Sequence, residues 1–120
     1  MLTIPGESDK EILLSTYLCH PSMAVNELSG PLVTAFLYKK LFKEKPFRHT
    51  IRFVYCPENI GSIAFLSKYG EQLKNKLVAG YVVNCVGHGN LYTYKKSRIG
   101  DSLADRAALN ILNHQKLPIE

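Results

Sequence analysis

Three short apolar runs, Glu11–Leu18, Thr50–Cys56 and Val78–Cys85, are set apart by helix-length segments, and this alternation constrains the fold more than any other feature. Each run is short and bounded by turn residues, the pattern of buried strands. The run TIRFVYC at 50–56 is rich in β-branched and aromatic residues, the character of a central strand, and Pro57 stops it. After the first run, Asn26 to Pro31 is a turn-and-cap cluster and Leu28 to Phe42 reads as a helix. Its apolar positions Leu28, Leu32, Ala35, Phe36 and Leu41 fall close to helical spacing. Pro31 is tolerated only in a first turn, which fixes where that helix starts. Asn59–Tyr69 reads as a second helix, with Ile60, Ile63, Ala64 and Leu66 on or near one face and Gly70 as its exit signal. Gln72–Lys76 reads as an exposed connection. After the third run, the turn Gly87–Asn90 leads to a short strand at Leu91–Tyr94. Asp101 or Ser102 then caps a final helix to about Asn113, with Leu103, Ala107, Leu109 and Leu112 as its core positions.

Strand and helix in alternation predict an α/β fold, a mostly parallel sheet with helices on both faces. No repeat, low-complexity stretch or linker divides the 120 residues, so 1–120 reads as one unit. A composition of 46% hydrophobic and 21% charged residues excludes a disordered tail or a disulfide scaffold. No apolar run approaches the ~20 residues of a membrane-spanning helix. Met1 to Asp9 is polar and acidic, without the basic start and apolar stretch of a signal peptide. Cys19, Cys56 and Cys85 are an odd number without metal-finger spacing, which reads as reduced, buried thiols in a cytoplasmic protein. The net charge of +5 comes from lysines towards helix ends and in linkers. A nucleic-acid groove gathers its basic residues on one face with aromatics between them, so neither nucleic acid nor a membrane is the expected partner.

In parallel sheets, functional groups gather beyond the carboxyl ends of the strands. His20 follows the first predicted strand and Glu27 lies in the loop behind it; Glu58 follows the second; Asn84 ends the third, with His88 beyond it in a glycine-flanked turn. Imidazole and carboxylate are zinc ligands, and a further carboxylate can serve as general base. Each residue also has a plainer reading. Glu27 and Glu58 both precede helix N-termini, where the helix dipole favours acids, and His20 and His88 suit turns. Cys19 and His20 are neighbours, so on a strand they point to opposite faces, against a thiolate–imidazole pair. Ser29 lacks a glycine-flanked nucleophile elbow, and the glycines form neither a phosphate loop nor a dinucleotide fingerprint.

Four segments, LCHPSMAVNELSGPLV (18–33), RFVYCPENIGSIAFLSK (52–68), AGYVVNCVG (79–87) and SRIGDSLADRAA (97–108), together resemble one family. It is an aminopeptidase-like family of unknown function associated with polysaccharide biosynthesis and related to the co-catalytic zinc aminopeptidases. The resemblance implies a three-layer zinc-hydrolase fold and cleavage of an amide or peptide-like bond in a small substrate. It places a metal-ligating histidine at His20 and the general base at Glu58. The positions of three carboxylate ligands fall on the amides Asn26, Asn59 and Asn84, with Glu27 next to the first and His88 four residues after the last as replacements. The implied ligand set is therefore His20, Glu27 and His88, for zinc. Relatives of this kind are much longer, so the chain reads as an internal fragment, inactive alone and self-associating through an exposed sheet edge. The alternative is a non-catalytic hydrolase-fold module for binding or assembly in polysaccharide biosynthesis.

Overall fold

The computed structural model describes residues 1–87, 89, 91–116 and 118. The chain divides into two compact units, Met1–Gly87 and His88–Glu120. The first holds β1 (Leu2–Ile4), β2 (Glu11–Tyr17), α1 (Ala24–Glu27), α2 (Ser29–Glu44), β3 (Thr50–Cys56), α3 (Ile60–Lys76) and β4 (Leu77–Val82). Its four strands form one sheet in the order β1-β3-β2-β4. β2 runs parallel to both β3 and β4, and β1 is antiparallel to β3. The fold is mixed α/β, as the alternation of apolar runs predicts.

Phe53 and Arg52 show how the helices meet the sheet. As strand neighbours they point to opposite faces. The Phe53 ring meets Tyr38 of α2 edge-on with ring centroids 5.5 Å apart, while the Arg52 guanidinium lies 5.9 Å from the Tyr69 ring of α3. On the α2 side, Ile4, Ile51 and Phe53 form the buried cluster, with Leu14, Leu37, Tyr38, Leu41, Phe47 and Tyr55 against it. On the other side Arg52 donates to the buried Glu11 carboxylate at 2.7 and 3.0 Å. Gly30 lets the start of α2 press on the strand ends, since a Cβ there would collide with the Val83 carbonyl and the Thr16 hydroxyl.

Several elements differ from the sequence reading. β1 lies within the stretch read as a polar terminus, and its Ile4 is fully buried. The predicted connection Gln72–Lys76 is the last turn and a half of α3, anchored by buried Leu73. Of the helix positions assigned to the core, Leu28 just before α2, Leu32 and Phe36 on α2, and Ile60, Ile63 and Leu66 on α3 are exposed. Both helices carry apolar residues around much of their circumference, so periodicity alone does not select the face that meets the sheet. β4 ends at Val82, three residues short of the predicted strand.

The second unit holds α4 (Leu103–His114). A capping box starts it: the Ser102 hydroxyl accepts from the Asp105 amide, and Asp105 accepts from the Ser102 amide at 2.9 Å. The buried Asp105 carboxylate also accepts from the Tyr94 hydroxyl at 3.0 Å and from the Ser97 amide and hydroxyl at 2.8 and 2.6 Å. Leu103 and Ala107 are exposed, and the buried positions are Ala104 and Asp105. Tyr92 makes an isolated bridge rather than a strand, its amide donating to the Pro118 carbonyl at 2.7 Å. No helix among the described residues is long and apolar enough to cross a membrane.

Candidate functional site

Parallel pairing of β3, β2 and β4 brings three carboxyl ends to one edge of the sheet. Just beyond each end stands a non-glycine residue with positive φ: Ser22 (66°), Asn59 (52°) and Cys85 (50°). Asn59, with ψ −74°, lies outside even the left-handed helical region. Such backbone costs of order 1–3 kcal/mol per residue and concentrates at functional sites.

His20 and Glu27 meet there. Glu27, on the single turn α1, is buried, and its carboxylate accepts from the Cys19 backbone amide and faces His20 Nδ1 at 2.7 Å. Burial raises the Glu27 pKa. Hydrogen bonds from the Cys19 amide, the His20 ring and the His20 amide, with the attraction of the ring, more than offset that, and the net pKa is lowered. Glu27 is therefore held as the anion. The half-exposed His20 ring turns its other nitrogen, Nε2, to Glu58 Oε2 at 3.8 Å. Glu58 sits in the turn between β3 and α3, with Asn59 after it as the helix N-cap.

Cys19 joins this group, against the expectation from strand alternation. β2 ends at Tyr17, so Cys19 and His20 lie in irregular chain where successive side chains need not oppose. Its Sγ is 3.2 Å from His20 Nδ1 and 3.9 Å from Glu27 Oε1, and it accepts the Glu58 backbone N–H at 3.2 Å. The thiol thus ties the loop after β2 to the loop after β3. The three cysteines are free, but Cys19 and Cys85 are exposed rather than buried.

Of the remaining candidates, His88 lies outside the described residues. Asn84 donates its amide to the Tyr17 hydroxyl at 2.7 Å. Asn26 Oδ1 is buried without a partner among the described residues. Beside His20 and Glu27 opens a predominantly apolar hollow of about 580 Å³ walled by Leu18, Leu28, Leu32 and Tyr55.

An α/β unit with an imidazole, two carboxylates and a thiol at the carboxyl edge of parallel strands belongs to the broad class whose sites are built from strand-end loops. Comparison with known proteins narrows this. Residues 1–120 match the family model described as "Domain of unknown function (DUF4910)", and the chain belongs to that family. It is 42% identical over 111 residues to a Clostridium acetobutylicum protein named "Putative polysaccharide biosynthesis protein with aminopeptidase-like domain". That alignment covers 92% of this chain and 25% of the relative. A crystal structure of a "putative peptidase" from Clostridium acetobutylicum superposes with a TM-score of 0.91 at 38% identity, covering 98% of this chain and 28% of that one. The chain thus spans about a quarter of the length of the proteins it matches, and the match supports a peptidase-like domain.

Proposed function

We propose that this chain carries the metal-binding and general-base residues of a zinc-dependent, aminopeptidase-like hydrolase, on a three-layer zinc-hydrolase fold, cleaving an amide or peptide-like bond. The observation that carries the reading is the His20 imidazole between two carboxylates, Glu27 at 2.7 Å and Glu58 at 3.8 Å, at the edge where parallel strands end. The names of the two relatives support it. The donor types suit zinc, which takes imidazole nitrogen, carboxylate oxygen and thiolate sulfur. Glu27, already held as the anion, presents an oxygen without first losing a proton.

In this reading His20 and Glu27 would hold the ion, and bound zinc would supply Lewis acidity towards a substrate carbonyl. Glu58, exposed and within reach of solvent, accepts the proton of the attacking water and returns it to the departing amine.

Glu58→Gln in the polypeptide that carries this chain tests the role of the base. Hydrolysis of aminoacyl arylamides is expected to fall by about 10²–10⁴-fold with zinc content unchanged. Undiminished hydrolysis would contradict the assignment.

A second reading, a non-catalytic module for binding or assembly in polysaccharide biosynthesis, is favoured by the amides Asn26, Asn59 and Asn84. Neutral amides are weaker ligands for a dication than carboxylates. That reading predicts saccharide or protein binding that chelators leave unchanged.

A further inference from the structure

We propose that Cys19 is itself a metal ligand, so that the centre is a mixed sulfur–nitrogen–oxygen site formed by Cys19, His20 and Glu27. The inference rests on the zinc reading above and adds a donor that neither the motif resemblance nor the spacing of the cysteines supplies. Cys19, His20 and Glu27 each turn one donor atom inward, all within 4.8 Å of one another. Ligands ~2.0–2.3 Å from a tetrahedral zinc ion stand roughly 3.3–3.6 Å apart. The separations here, 2.7 Å from nitrogen to oxygen, 3.2 Å from sulfur to nitrogen and 3.9 Å from sulfur to oxygen, fall on both sides of that range. Small side-chain adjustments therefore bring the three atoms to coordinating distance.

Two further features suit the sulfur to this role. It accepts the Glu58 backbone N–H at 3.2 Å, a bond that holds the sulfur beside the cluster. Cys19 is also exposed, so an ion can reach it from solvent. The same N–H joins the putting of the ligand in place to the turn that carries Glu58, so the proposed base and the sulfur ligand are positioned by one backbone segment. Cys56 and Cys85 are absent from the donor group.

Cobalt(II) added to the metal-free protein reads the sulfur directly, because thiolate coordination produces a near-ultraviolet charge-transfer band that imidazole and carboxylate do not. The expected result is this band in the wild type and in the Cys56→Ser/Cys85→Ser variant, with its loss in Cys19→Ser and at least a tenfold fall in cobalt affinity. Visible ligand-field bands that depend on His20, without the charge-transfer band, would overturn the role of Cys19 and leave the metal reading standing. A charge-transfer band that survives in Cys19→Ser would overturn it as well. No cobalt uptake at all would overturn the metal reading and this inference together. Alkylation of unmodified wild-type protein gives a readout independent of variant folding: equimolar zinc is expected to slow labelling of Cys19, mapped by mass spectrometry, at least tenfold. Equal labelling with and without zinc would contradict coordination.

Discussion

Glu11 and Arg52 show how strongly single side chains hold this sheet. Both lie largely out of solvent, with side-chain exposures of 3% and 11%, and the guanidinium reaches one carboxylate oxygen through two nitrogens. Removing one partner from such a pair leaves an uncompensated buried charge. Arg52→Ala is accordingly expected to destabilise the protein by about 3–5 kcal/mol in urea unfolding; a loss under about 1 kcal/mol would show that solvent reaches Glu11 after the change. The candidate cluster was legible in the sequence to the extent that strand ends were. His20, Glu27 and Glu58 follow predicted strands, and parallel pairing brings them together. Cys19 was not legible, because the alternation that separates neighbours holds only inside a strand and β2 stops two residues before it. The signal available was Pro21 and the turn residues after it, which mark Leu18–His20 as chain leaving the sheet.

Among the elements, those with strong local chemistry read most clearly. β3 matches its predicted limits Thr50–Cys56, and α4 is capped by Ser102, one of the two caps expected, Asp101 or Ser102. β1 escaped because three residues offer too little alternation, and α1 because a single turn has no periodicity. The last turns of α3 read as a connection since Glu71, Gln72, Lys74 and Asn75 face solvent, and Leu73 is the buried residue that holds them. The capping of α4 carries a pH signature. Hydrogen bonds from the Ser97 side chain, the Ser97 amide and the Ser102 side chain, opposed by burial, hold Asp105 well below the usual aspartate value of 3.8. A carboxylate with a lowered folded-state pKa gives stability that is complete above its unfolded value and disappears as pH falls through the folded one. Helicity of α4, followed by amide exchange, is thus expected to weaken below about pH 4 in the wild type. Asp105→Asn should weaken α4 at neutral pH and flatten that dependence, and an unchanged acid profile would contradict the assignment. Ser102→Ala is expected to cost about 1 kcal/mol through loss of the cap.

For the whole molecule, the apolar surface left uncovered is the salient fact. Leu28 just before α2, Leu32 and Phe36 on α2, and Ile60, Ile63 and Leu66 on α3 are more than half exposed, and β4 forms one edge of the sheet. Surfaces of this kind seek a cover, and an edge strand is a template for pairing with another chain. The 120-residue chain is expected to show a weight-average mass by light scattering that rises with concentration above its 13.5 kDa; a constant 13.5 kDa would contradict that expectation. The fold class was legible because the order of strands and helices is written in local composition. The faces of α2 and α3 were not, because both helices are apolar on more sides than the sheet covers. What the molecule does turns on whether the cluster at the strand ends holds a metal. Calorimetric titration of zinc into the metal-free protein, beside His20→Ala, measures this most directly. One zinc ion per chain at micromolar or tighter affinity, lost in His20→Ala, is the predicted result. No heat of binding in the wild type, or equal binding in both proteins, would contradict the account.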